Sequence, residues 1–421
     1  MKVKAMSTLG HKVAIVIAAI TALGLYSAMG STSVEAAQKK KAKQVETKVV
    51  NPKAQTTRAK TQPVVPQGDV CKAEILVEAE TGTVLFEKDS HTPYPPASMV
   101  KMMTALIAME MVKEGKASLD DMVQASAKSS KIGGSQIYLK EGETFRMEDL
   151  LKAIMIHSAN DAAVAVAEHL SGSVEGYVDL MNQKAQELGM KETTFHSVHG
   201  LPPGTGQSED LASAYDLAVL GRTIVTRFPK LLEYASTEEA PIRDGTFVMH
   251  NVNKMLGRFK GLDGIKTGYY NRAGFCITST AKRGDTRYIA VVMGCDRSTV
   301  RFNEAARLLN MGFNMFECPR LAKKDDLYSR TLPVVNGTKK EVGLVCTDDV
   351  VPLLKRLETN KVQVREQFSA QQLEAPVKAG TKVGRVTFTL DDKELGGTDL
   401  LTAEDIEKVG LLKRIGNKLG L

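Results

Sequence analysis

At 421 residues, 43% hydrophobic and 25% charged, the chain suits a soluble globular protein of two or three domains. The net charge is only +7, aromatics make up 5% and Trp is absent. A nucleic-acid surface would combine a basic face with interleaved aromatics, so no nucleic acid is expected as a partner. Five cysteines, none in a Cys-x-x-Cys pair, argue against both a disulfide scaffold and a zinc site. One pair can form outside the cytoplasm, and the spacing leaves its members open.

Lys2, Lys4 and Lys12 precede an apolar run over 13–25, then small residues and Val34-Glu35-Ala36. A charged start, an apolar stretch too short to span comfortably and a cleavage-like site read as a signal peptide over residues 1–36. A retained anchor is the alternative, and either way the bulk of the chain leaves the cytoplasm. Residues 37–69 are Lys, Gln, Thr, Val and Pro with few large apolar groups, the composition of a basic disordered linker.

Two β-rich runs around Gly82 (73–78 and 83–87) read as a hairpin. Next comes Pro95-Pro96-Ala97-Ser98-Met99-Val100-Lys101-Met102-Met103, continuing apolar to Met111. It predicts a helix entered through two prolines, with Ser98 in its first turn and apolar residues on every face, hence buried all round. Lys101 stands in that apolar wall, one turn from Ser98. A buried ammonium is costly unless paired or neutralised, and a neutral lysine beside a serine hydroxyl would activate a nucleophile. By itself the pair reads equally well as a snorkelling surface lysine. A second Ser-x-x-Lys, Ser279 to Lys282, lies in a strand-like run with no helix to align it.

Helical patterns cover 147–155, 161–170 and 178–188, strands return near Gly264, and 273–280 with 287–293 form a second hairpin before a helix over 301–316. Strands at both ends with helices between predict one α+β domain over 70–325, its sheet closed by segments far apart in sequence. Short β runs then predict a small β-rich domain over 326–405. Residues 406–421 read as an amphipathic tail, basic on one side, that would either lie on a membrane surface or dock on its own domain.

Two more motifs carry chemistry. Ser158-Ala159-Asn160 sits between an apolar run and a helix-forming segment, where a turn would present a hydroxyl and an amide to a proton and a carbonyl. Lys266-Thr267-Gly268 offers a cation and a hydroxyl to a carboxylate, with a glycine that lets a substrate backbone approach. Each is weak alone; in this order and context the three motifs are strong.

The sequence resembles the penicillin-binding D-Ala-D-Ala carboxypeptidases of low molecular weight. The resemblance runs from about Ala73 to Leu421 and is best around Ser98, around Ser158 and at Asp263-Gly264-Ile265-Lys266-Thr267-Gly268. His199-Gly200-Leu201-Pro202 and Val300-Arg301-Phe302 also look like the family. It implies a β-lactamase/transpeptidase-like α+β domain, an antiparallel sheet flanked by helices plus a helical subdomain, followed by the β-rich domain. It implies that Ser98 forms an acyl-enzyme with peptidoglycan stem peptides, that β-lactam antibiotics enter as covalent inhibitors, and that no cofactor or metal is needed. Lys101 would be the base, its pKa lowered by burial and by Lys266. Ser158 and Asn160 would complete the proton network. Lys266, Thr267 and Arg301 would hold the terminal carboxylate beside Gly268. The backbone amides of Ser98 and Tyr269 would form the oxyanion hole. The implied location is the periplasm or the outer face of the bacterial cytoplasmic membrane.

A β-lactamase is the first rival, but residues 190–200 hold Glu192 without the Glu-x-x-Leu-Asn phrase of a deacylating glutamate. A non-catalytic stem-peptide-binding scaffold would need no activated nucleophile. A metal hydrolase would need a third ligand beside His196 and His199. His157 and His169 read as ordinary polar residues, and Asp161 as a helix N-cap.

Overall fold

The computed structural model describes residues 71–410. The signal peptide and linker expected from the sequence, and the tail from 411 onward, lie outside the described residues.

Strand β1 (Ala73–Glu78) turns into β2 (Val84–Lys88), and Glu78 closes the turn by accepting from the Glu80 and Thr81 amides at 2.9 and 2.7 Å. Helix α1 (Lys101–Lys113) follows, and α2 (Met147–Lys152), α3 (Asn160–Ser171), α4 (Val174–Glu187), α5 (Ala214–Arg227) and α6 (Pro229–Ser236) build the helical part. A short hairpin, β3 (Glu239–Ile242) and β4 (Phe247–His250), precedes three long strands, β5 (Leu262–Tyr270), β6 (Gly274–Arg283) and β7 (Thr286–Cys295), and helix α7 (Ser298–Met315).

The main sheet is antiparallel in the order β2-β1-β7-β6-β5. The first strand thus pairs with one more than two hundred residues later, Ala73 opposite Met293 and Glu78 opposite Tyr288. All six residues of β1 are buried because both faces of the sheet are covered. Its alternation shows how: Ile75 and Val77 join Ile289, Val291 and Met293 under α1 and α5, while Leu76 joins Tyr288, Ala290 and Val292 under Leu308, Leu309 and Phe313 of α7. Helix α1 is buried from Lys101 through Met109, as its all-round apolar sequence requires.

From Phe316 the chain enters a β-rich part with its own core, including Leu332, Val342, Val383, Val386, Phe388 and Leu400. Phe316–Glu317 pairs with Leu354–Lys355, and the Cys318 amide donates to Thr286 Oγ1 at 2.8 Å, so this part grips the β6–β7 hairpin turn. Arg320 adds a bridge there, 2.9 Å from Asp285 and 2.8 Å from Asp349. Ile406, read from the sequence as the start of an amphipathic helix, instead pairs with Val377 and is buried, and Lys408 bridges Gly337. Its apolar side chain serves the β core, which overrides the local helical pattern.

The one disulfide among the described residues joins Cys71 and Cys295 across a sequence separation of 224, tying the start of β1 to the end of β7. Cys276, Cys318 and Cys346 are buried thiols. Closing so long a loop restricts the unfolded chain and is worth about 2–4 kcal/mol. Reduction is therefore expected to lower the melting temperature by several degrees, read by thermal unfolding with and without dithiothreitol; identical curves would contradict the bond.

Candidate active site

Ser98 lies in a tight 3-10 turn, Ala97–Val100, that feeds directly into α1. It thus sits just before the α-helix rather than within its first turn. Ala97, Met99 and Val100 are buried while Ser98 is only half-buried, so the turn offers its hydroxyl to the surface. The turn is strained: Ala97 has φ 49°, a left-handed value unusual for a residue with a Cβ. Two glycines press on it. A Cβ on Gly200 would come within 2.0 Å of the Ala97 carbonyl oxygen, and one on Gly268 within 2.5 Å of the Pro96 carbonyl oxygen.

Lys101 has no exposed surface, and its Nζ lies 3.1 Å from Ser98 Oγ while donating to the His199 carbonyl at 2.7 Å. Burial, and secondarily the charge of Lys266, hold its pKa well below the ordinary lysine value, against the pull of Asp210 and Asp161. Burial thus favours the unprotonated amine at the position the motif spacing singled out.

Lys266, Thr267 and Gly268 lie on β5, the edge strand of the sheet, with an open side facing the Ser98 turn. Lys266 is buried and donates to the Thr267 carbonyl at 3.2 Å; burial and then Arg301 lower its pKa to about 7. Arg301, from the first turn of α7, sends Nη1 to the Gly268 carbonyl at 3.0 Å and to the Cys276 carbonyl at 3.3 Å. Its guanidinium thus braces the back of the Lys266 strand. Burial lowers its pKa to about 10. Tyr269 is exposed and stacks on Phe275 with ring centres 4.0 Å apart.

Ser158 and Asn160 come from the α2–α3 junction. Helix α2 widens into a π-turn, Ala153–His157, and Ser158 then takes a left-handed conformation at φ 62° and ψ 30°. Such widened turns and strained residues are concentrated at functional sites. Asn160 Nδ2 donates to the Gly133 carbonyl at 2.6 Å, and its buried Oδ1 has no partner. Asp161 is not the N-cap, which is Ala159. Its buried carboxylate instead accepts from the Ile137 amide at 3.1 Å and the Leu139 amide at 3.0 Å, so it pins the loop that meets Asn160. Glu192, the position weighed as a deacylating carboxylate, faces His91 at 3.6 Å.

Two family matches cover this architecture. Residues 57–297 match the D-alanyl-D-alanine carboxypeptidase family, peptidase S11. The chain belongs to the D-alanyl-D-alanine carboxypeptidase family. Residues 316–408 match the C-terminal domain of penicillin-binding protein 5. Similar proteins include the D-alanyl-D-alanine carboxypeptidase DacF of Bacillus subtilis, 33% identical over 83% of this chain and 89% of its own length. DacC of Escherichia coli is 33% identical over 86% of this chain and 90% of its own length. Among solved structures, penicillin-binding protein 5 from Haemophilus influenzae overlays with a TM-score of 0.62 at 28% identity, covering 82% of this chain and all 100% of that one. Ampicillin-bound penicillin-binding protein D2 from Listeria monocytogenes gives 0.54 at 30% identity, over 60% of this chain and 100% of its own.

In this carboxypeptidase several supporting residues carry no signal of their own in the sequence. The His199 carbonyl that receives Lys101 is held by a small network. Asp210 accepts from the His196 amide at 2.6 Å and from Ser197 Oγ at 2.6 Å, Ser197 Oγ accepts from the Gly200 amide at 2.8 Å, and Thr104 Oγ1 donates to the Val198 carbonyl at 2.8 Å. The run His199-Gly200-Leu201-Pro202 was visible as family-like, but a main-chain carbonyl has no residue type. The His199 ring is not a ligand in waiting: its Nδ1 accepts from the Leu201 amide at 3.1 Å, and burial, with Lys101, lowers its pKa to about 3. Among the described residues, no three His, Cys, Asp or Glu side chains are placed to hold a metal.

Proposed function

We propose that this carboxypeptidase removes the terminal D-alanine of peptidoglycan stem pentapeptides through an acyl-enzyme on Ser98. The observation that carries this reading is the fully buried Lys101 amine 3.1 Å from Ser98 Oγ. Lys101 takes the hydroxyl proton as Oγ attacks the penultimate D-alanyl carbonyl. The backbone amides of Ser98 and Tyr269 receive the oxyanion. The bond to the terminal D-alanine breaks, and its nitrogen leaves with a proton passed through Ser158. Water then hydrolyses the ester with Lys101 again as base. Lys266 and the Thr267 hydroxyl hold the substrate's terminal carboxylate, Arg301 adds positive charge behind them, and Asn160 orients the substrate amide. Penicillin acylates the same serine and leaves slowly.

The reading places the protein outside the cytoplasm, in the periplasm or on the outer face of the cytoplasmic membrane. The signal-peptide pattern of residues 1–36, a substrate in the wall and the Cys71–Cys295 disulfide, a bond suited to an oxidising compartment, support that. Attachment of the tail to a membrane surface belongs to the same proposal.

The test is D-alanine release from a diacyl-Lys-D-Ala-D-Ala tripeptide by the native chain and by Ser98→Ala. Release confined to the native chain supports the reading. A folded native chain that releases none removes it.

The two lysines also set a pH profile. Lys101 works unprotonated, so kcat/KM rises with pH through its depressed pKa. Lys266 works protonated, so kcat/KM falls as it loses its proton, from about 7 in the free enzyme. A bound carboxylate favours the protonated form, so the falling limb of kcat should lie at higher pH than that of kcat/KM. A kcat/KM that climbs all the way to the ordinary lysine value of 10.5 would contradict Lys266 as the carboxylate anchor.

A further inference from the structure

Immediately beyond Gly268 a cleft of about 590 Å³ opens, its walls lined by Tyr269 and Tyr270 at the end of β5 and by Pro202 and Pro203 from the segment after Gly200. Both walls start at the nucleophile turn. Gly268 and Gly200 are the two residues whose backbones press on Ala97 and Ser98, and the residues that follow each of them, Tyr269 and Tyr270 after the one and Pro202 and Pro203 after the other, line the cleft. Its lining also includes an ion pair, Arg272 Nη2 to Glu209 Oε2 at 3.2 Å.

The pair is unequal. The Glu209 side chain is 10% exposed and fixed from behind, because Tyr270 donates its hydroxyl to Oε1 at 2.6 Å. The Arg272 side chain is 76% exposed and bonded through Nη2 alone, which leaves most of its donors for a ligand.

We propose that this Glu209–Arg272 pair selects the third residue of the stem peptide, favouring one whose side chain ends in an amino-acid head, with ammonium and carboxylate together, over one ending in an ammonium alone. The proposal rests on the stem-peptide reading above. A substrate whose acyl carbonyl sits at the Tyr269 amide and which runs along the open edge of β5 places each upstream residue about 3.3 Å further toward Tyr270 and beyond. The third residue is the first of these, and a side chain of four or five bonds from it reaches along the cleft. A zwitterionic head meets Glu209 with its ammonium and Arg272 with its carboxylate. A lone ammonium gains Glu209 but is repelled by Arg272, and a lone carboxylate meets the reverse, so the pair both attracts and excludes. Because Arg272 is exposed, the selection is moderate and weakened by salt.

The test compares D-alanine release from two otherwise identical stem pentapeptides, one with meso-diaminopimelate and one with lysine at the third position. The native chain is expected to favour the diaminopimelate peptide in kcat/KM by about tenfold at low salt, less at high salt. Arg272→Ala should collapse that ratio to near one, by losing rate on the diaminopimelate peptide and gaining it on the lysine peptide; penicillin labelling of Ser98 reports that the variant is folded. Equal rates for the two peptides in the native chain, or a preference that survives Arg272→Ala, would overturn the proposal. No release from either peptide by a native chain that still takes up penicillin would remove the stem-peptide reading itself, and this inference with it.

Discussion

Lys101→Met is expected to slow penicillin acylation of Ser98 by about a thousandfold while leaving the protein folded. Methionine is close to lysine in length and carries no charge into a side-chain position that is fully buried. The substitution removes a buried amine whose desolvation is unfavourable, and it strips the His199 carbonyl of its donor, a loss of about 1–3 kcal/mol. The two effects oppose, so the melting temperature should move little. Lys101→Arg removes the base in another way: it places a permanent cation at the site and cannot supply a free amine. It should be as inactive as the methionine variant. The measurement is the rate of penicilloyl adduct formation by mass spectrometry. Acylation within tenfold of native in Lys101→Met would show that something else deprotonates Ser98.

The second large effect is geometric. Gly268→Ala places a methyl 2.5 Å from the Pro96 carbonyl oxygen and 3.1 Å from both Ala97 Cβ and the Ser98 nitrogen. Two of these neighbours are main-chain atoms, so the Ser98 turn or the Lys266 strand has to shift. Displacing a nucleophile from its base and its carboxylate anchor by a fraction of an ångström is expected to cost about a hundredfold in acylation. Overpacking of this kind also destabilises by about 1–3 kcal/mol. Gly200→Ala should be worse for stability, since its methyl would sit 2.0 Å from the Ala97 carbonyl oxygen and its φ of +74° disfavours any side chain. Stopped-flow acylation with a chromogenic cephalosporin, read beside thermal unfolding, distinguishes the two substitutions. A native acylation rate in Gly268→Ala would mean that the contact between the strand and the turn does not position Ser98.

Much of the site was legible because its residues break local patterns. Lys101 stood out as one charge in a helix apolar on every face, and Ser98 lies one turn away by spacing alone. Ser158 and Asn160 sat at a seam between an apolar run and a new helix, where the chain indeed widens and turns left-handed. Asp161 was misread as a cap because its position near a helix start is a local signal, whereas its partners, the Ile137 and Leu139 amides, lie in a distant loop. Arg301 was read as a direct carboxylate ligand, and its bonds to the Gly268 and Cys276 carbonyls add the bracing of β5 to that reading.

The sequence by itself determined the buried helix, the two hairpins that begin and end the main sheet, the three motifs and the family they imply. These depend on periodicity and side-chain type, which are written locally. Only the tertiary structure decided that Cys71 meets Cys295, that the His199 carbonyl receives Lys101, and that Gly200 and Gly268 close on the Ser98 turn. It also decided that Ile406 belongs to the β core. Such contacts join main-chain atoms or residues far apart along the chain. Their formation is set by how the whole core packs, a property no local stretch of sequence carries.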